Sequence, residues 1–163
     1  RPDCISREML ELLREHHVTA IELGVQSLND CVLALNERGH TAADVANAVP
    51  LIKAYGFSLG LQMMTGLYGD SKESTYRTAE KIIAYRPDTV RIYPTVVIKG
   101  TKLYEWYESG VYLPPTLAES GFGFNDAVCR RRNSCDKSRI TCFGRIGTKH
   151  GCGSISSGIS GTV

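Results

Sequence analysis

IELGVQSLNDCVLALNERGHT, residues 21–41, opens as a β-strand and ends at a helix cap. Side chains alternate along a strand, so Glu22, Gly24 and Gln26 share one face while Ile21, Leu23 and Val25 share the other. The apolar face suits packing under helices. The other face is polar with a glycine gap, so it is expected to look into a cavity that holds something polar. The plainer alternative is a hydrogen-bonded pair of core polar groups.

Outward from this stretch, helical and strand patterns alternate. SREMLELLREHH sets Met9, Leu10, Leu12 and Leu13 between charges, a helical spacing. Asn29 caps a short helix through Leu35. Thr41 caps the next, with Asp44 at the capping-box position, and ADVANAVPLIKAYG closes at Gly56 with Pro50 as an expected kink. FSLGLQMMTGL is a second strand, in which Gln62 stands among apolar residues and Gly66 begins a glycine-rich loop. Its two methionines read as core filling. Ser71 caps KESTYRTAEKIIAYR, DTVRIYPTVVI is a third strand, and KLYEWYESG a short closing helix.

This alternation predicts βαβ units and a parallel sheet, with sites at the carboxyl ends of the strands. Three strands are too few to close a barrel. The expected fold is therefore α/β, half of a barrel, with one sheet edge exposed and prone to self-association.

Composition divides the chain near Ser120. Residues 1–120 carry 12 basic and 15 acidic groups, net −3, whereas residues 121–163 carry 7 basic and 2 acidic, net +5. Four of six cysteines (Cys129, Cys135, Cys142 and Cys152) and half of the 16 glycines lie in the tail. Two readings compete for this Gly/Ser/Cys-rich tail, residues 118–163. One is a metal- or nucleic-acid-binding appendage using the cysteines, His150 and Arg130–Arg132. The other is a disordered or out-of-frame segment. The cysteine gaps do not match the CxxC pairs of zinc sites, which favours the second. No apolar run is long enough to span a membrane. RPDCISREML has no apolar h-region and no initiating methionine, so a fragment without a signal peptide is expected.

ELGVQS…L…RGHT, then GF…QMMTGLYGD, then PDTVRIYPTVVIKGTKLYEWYESGVY occur in order over residues 1–115. Together they resemble the radical S-adenosylmethionine enzymes, nearest to the Elongator catalytic subunit and its bacterial relatives. A more distant likeness, through GVQS and the GL loop, is to oxygen-independent coproporphyrinogen oxidase. The resemblance implies that residues 1–117 are the C-terminal half of a partial (βα)6 TIM-type barrel. It implies a [4Fe–4S] cluster and S-adenosylmethionine as cofactors, and a 5′-deoxyadenosyl radical that abstracts hydrogen from substrate. It also implies a cytoplasmic enzyme whose substrate is a wobble uridine in transfer RNA.

The family positions that hold S-adenosylmethionine fall on Gln26 and Arg38, and the strand-five polar position that faces the ribose falls on Gln62. An amide bonds hydroxyls without carrying charge. Glu22, deeper in the strand, is expected to attract the ligand's ammonium or to orient Arg38. Tyr93 and Lys99, on or just beyond the third strand, are candidates to reach substrate. His40 reads as a capping or packing histidine, and the aromatic YEWYESGVY as closing the barrel's flank.

The sequence departs from the family in two places. The cluster requires a CxxxCxxC motif, and nothing in this chain has that spacing. The chain alone is therefore expected to bind no cluster and catalyse nothing. Tyr68 also replaces the proline usual in the GLPG loop. The rival reading is a non-catalytic half-barrel that binds a nucleotide or serves as a subunit. A barrel enzyme using Glu22 and His40 as acid and base lacks the paired geometry such chemistry requires.

Overall fold

The computed structural model describes residues 1–116 and 140–142. After a 3-10 turn at Pro2–Cys4, helix α1 (Arg7–Glu15) leads into strand β1 (Ala20–Gln26). Helices α2 (Asp30–Leu35) and α3 (Ala42–Ala54) follow, then β2 (Ser58–Thr65), α4 (Lys72–Ala84), β3 (Thr89–Pro94), α5 (Lys102–Glu108) and β4 (Ile140–Cys142). The strands lie in the order β1-β2-β3-β4, and every neighbouring pair is parallel. Parallel strands need a crossover between them, which the intervening helices supply. Among the described residues no strand lies beyond β1, so its outer edge ends the sheet.

The three expected strands are present. The fourth falls in the stretch read as irregular, where Ile140–Cys142 pairs with Val90–Ile92. Three residues are too short to show a period in sequence. The remainder of the tail, and with it the out-of-frame and metal-binding readings, lies outside the described residues. Strand β3 stops at Pro94 instead of running on to Ile98. Proline brings no N–H to the ladder, and Thr95 N–H makes a last bond to Thr65 O at 2.9 Å.

Side-chain caps begin the helices as their sequences require. Asn29 Oδ1 accepts from Cys31 and Val32 N–H, Ser71 from Ser74 N–H, and Thr41 and Asp44 form a reciprocal capping box. Gly56, at φ +80°, follows the C-cap of α3. The helix runs on through Pro50. Ala46, whose carbonyl that proline leaves without its helical donor, is exposed, so that carbonyl is open to solvent.

Alternation along the strands sorts the sheet into two faces. Leu23, Val25, Leu59, Leu61, Met63, Val90 and Ile92 point to the helix side and are at most 7% exposed. They pack in one cluster with Leu10 of α1, Val45, Val49 and Ile52 of α3, and Ala79 and Ile82 of α4. Removing that apolar surface from water is the main stabilising term of the fold. In α1 only Leu10 and Leu13 join the cluster, while Met9 and Leu12 remain over 40% exposed.

Candidate functional site

The other face of the sheet carries the polar residues that the alternation sets apart. In register, Glu22 lies beside Gly60 and Thr89, and Gly24 beside Gln62 and Arg91. Met64 neighbours Tyr93. Three of the sequence-derived candidates, Glu22, Gln26 and Gln62, therefore share this face with Tyr93.

Glu22 is the hub of the lower part. Its Oε1 stands 2.6 Å from Arg91 Nη2, and its Oε2 accepts from Gln62 Nε2 at 2.8 Å. The carboxylate thus spans from β1 to β3 over the middle strand. Gly60 leaves the room for this: a Cβ there would stand 2.9 Å from Glu22 Cγ and 2.8 Å from Thr89 Oγ1. The ion-pair side chains are 38% and 32% exposed, so solvent screens the pair and it contributes no more than about 1 kcal/mol. Its value lies in geometry. Glu22 thus forms with Gln62 the hydrogen-bonded polar pair that is the plainer reading of this face, and its ion pair is with Arg91, not with Arg38. The TVRIYP pattern places Arg91 on the same face as Tyr93, but nothing in it marks the pairing with Glu22.

Gln26 closes β1 in an unusual backbone state. Its φ is +63°, and the register slips between Gly24 and Gln26. Ser27 N–H donates to Val25 O at 2.8 Å, a three-residue γ-turn with Gln26 at its apex. A non-glycine residue held there stores about 1–3 kcal/mol of strain, a feature that gathers at ligand sites. The turn aims the side chain back over Gly24, where a Cβ would stand 2.7 Å from Gln26 Nε2. Among the described residues, the Gln26 amide makes no hydrogen bond of its own.

His40 secures this turn. Its Nε2 lies 3.1 Å from the same Val25 O, so the proton sits on Nε2 and donates. His40 is 7% exposed, and its Nδ1 has no partner among the described residues. The packing role expected for it is the one it has. The bond also fixes the loop of residues 36–41 at the carboxyl end of β1. Arg38 sits in that loop between α2 and α3, not on a helix, and is half-buried. Its guanidinium has no hydrogen bond or ion pair among the described residues. Lys99 lies exposed in the loop after β3 and is not drawn into the sheet face.

An aromatic rim borders the same end. Tyr68 and Trp106 have ring centroids 4.4 Å apart, and Tyr112 meets Tyr68 edge-on at 6.4 Å. The Tyr112 hydroxyl donates to Gly66 O at 2.6 Å, and burial pushes its pKa up, keeping it a donor. Lys102 lies over the Trp106 ring and pairs with Glu37 at 3.0 Å. Trp106 and Tyr112 of the YEWYESGVY stretch thus clasp the loop after β2, and Tyr68 supplies their platform.

Among the described residues no three His, Cys, Asp or Glu side chains are grouped to hold a metal ion, and Cys4 and Cys31 are free and exposed. No helix among them is long and apolar enough to cross a membrane.

Residues 1–82 match the family model of the Radical SAM superfamily, and residues 87–141 that of the Radical_SAM C-terminal domain. The chain is 36% identical over 117 residues to the tRNA uridine(34) acetyltransferase of Dehalococcoides mccartyi, covering 70% of this chain and 26% of that protein. It is 37% identical over 116 residues to Elongator complex protein 3 of Homo sapiens, covering 69% and 21%. The chain thus spans about a quarter or less of these curated relatives. The solved structure of archaeal Methanocaldococcus infernus Elp3 matches with a TM-score of 0.71 at 31% identity, over 88% of this chain and 33% of that one. Coproporphyrinogen III oxidase (HemN) from Escherichia coli matches in fold, with a TM-score of 0.60 at 17% identity over 80% and 29%.

Proposed function

The chain belongs to the radical SAM superfamily, and from that premise we propose that it supplies the S-adenosylmethionine-binding face of a radical enzyme. The whole protein would use a [4Fe–4S] cluster to cleave S-adenosylmethionine reductively and abstract hydrogen from substrate. The substrate we infer is a uridine at position 34 of transfer RNA, after the relatives named for acetylating it.

The observation that carries the reading is the polar face at the carboxyl end of the sheet. Its donors and acceptors fit the ligand. The strained turn at Gln26 presents an amide for the amino-acid end. Arg38, in the loop pinned beside it, offers a charge-assisted bond to the carboxylate. Gln62, on the adjacent strand, offers its amide to the ribose hydroxyls. Gly24 leaves the room into which the Gln26 amide folds. Tyr93, on the same face, stands on the substrate side, and Lys99 is a further candidate from the neighbouring loop. When bound, S-adenosylmethionine supplies the group that takes a hydrogen atom from substrate; the chain's part is to hold, orient and shield it. The cluster does not fit the described residues, which lack three thiolates within reach of one ion. No role is therefore assigned to these residues in its chemistry.

The test is anaerobic reconstitution of the whole protein that carries this chain with iron and sulfide, then reduction with dithionite in the presence of S-adenosylmethionine. Release of 5′-deoxyadenosine, measured by chromatography, is expected. Absence of the product, together with no measurable binding of S-adenosylmethionine, overturns the reading.

A further inference from the structure

The carboxylate of Glu22 fixes which way round the Gln62 amide sits. An amide has one edge that donates and one that accepts, and its neighbours decide the orientation. Both Glu22 oxygens can only accept once the carboxylate is paired with Arg91. The group facing Glu22 Oε2 at 2.8 Å must therefore be the Gln62 NH2. The Gln62 carbonyl oxygen is left over, with no donor among the described residues. Gly60 makes the arrangement possible, since a Cβ there would press on the Glu22 stem at 2.9 Å.

We propose that Glu22 is a positioning residue: held by Arg91, it locks Gln62 so that an acceptor edge faces the ligand. That edge selects a partner that brings O–H donors, here the vicinal diol of a ribose. The inference rests on the S-adenosylmethionine reading above and adds the residue that sets the specificity. Orientation by a fixed carboxylate lets a neutral amide act toward hydroxyls as an acceptor without adding a second negative charge to the face. The ligand's carboxylate would be repelled by such a charge.

The test uses the whole protein carrying this chain and two probes, 5′-deoxyadenosine and its 2′,3′-dideoxy counterpart, titrated by calorimetry. The wild type should bind the diol-bearing probe about tenfold more tightly. In Glu22→Gln, Arg91 claims the one remaining carbonyl oxygen. The new NH2 then faces Gln62, which turns over to accept from it and presents its own NH2 outward. The tenfold preference should fall to about threefold or less. The double variant Glu22→Gln/Gln62→Glu exchanges the two groups, restores an acceptor edge, and should recover the preference. Rescue of this kind is not expected if Glu22 merely stabilises the sheet, and a thermal melt of each variant identifies one that fails to fold. Glu22→Gln with an unchanged preference overturns the inference while leaving the ligand site in place, as does a double variant that folds without recovery. Wild type that binds neither probe nor S-adenosylmethionine overturns the ligand reading itself, and the inference with it.

Discussion

The two faces of one sheet are built to different requirements. On the helix side, Leu23, Val25, Leu59, Leu61 and Met63 are at most 1% exposed and need only fill volume. On the open side, Glu22, Gly24, Gln26, Gly60, Gln62 and Arg91 are arranged by hydrogen bonds and by two missing side chains. Adjacent residues of a single strand thus answer to opposite demands. Substitutions on the first face should change stability alone, and those on the second should change ligand affinity, in one case against stability.

The largest expected effect breaks the packed face. Leu61→Ala should cost about 2–5 kcal/mol, read from the denaturant midpoint, with ligand affinity unchanged in the fraction that folds. Gly60→Ala joins the two faces. Its new Cβ, 2.9 Å from Glu22 Cγ, should cost about 1–3 kcal/mol and displace Glu22 from Arg91. Gln26→Gly sharpens the contrast, because its two effects oppose. Glycine relieves the positive φ and should raise stability by up to about 1 kcal/mol, while loss of the amide should weaken S-adenosylmethionine binding about tenfold. Thr41→Ala removes the cap that begins α3 and should cost about 1 kcal/mol, read from the thermal midpoint.

The smallest effect is a pH dependence. Hydrogen bonds from the Thr41 side chain and backbone hold the Asp44 carboxyl below its ordinary value. A depressed folded pKa gives stability that is present above the ordinary value and is lost as pH falls through the folded one. Wild type should therefore lose slightly more stability than Asp44→Asn as pH falls below the ordinary aspartate value of about 4, seen as diverging melting curves.

Much of this was legible in the sequence because alternation is a strong signal. IELGVQS placed Glu22, Gly24 and Gln26 on one face, and the caps at Asn29, Thr41 and Ser71 fell where their side chains allow. Partnership was not legible. Glu22 and Arg91 are 69 positions apart, and their meeting depends on strand order, on register and on Gly60 between them. The strain at Gln26 also escaped, since nothing in GVQS marks a positive φ. The resemblance assigns Arg38 to the ligand, but its place in the loop after α2, which ends at Leu35, comes only from the fold.

The side chain of Asn36 joins three backbone groups, one in helix α2 and two of Tyr68 in the loop after β2. Its NH2 donates to Val32 O and Tyr68 O, and its carbonyl accepts from Tyr68 N–H at 3.2 Å. One amide thus imitates a rung of β-ladder between the end of α2 and the turn after β2. Such a rung is expected to couple opening at the end of α2 to opening of the loop after β2. Hydrogen exchange at the Tyr68 amide should accordingly be slow for a loop residue and should follow the rate of opening around α2. The mouth of the site would breathe as one cooperative unit, whose lifetime sets how often a ligand can enter or leave.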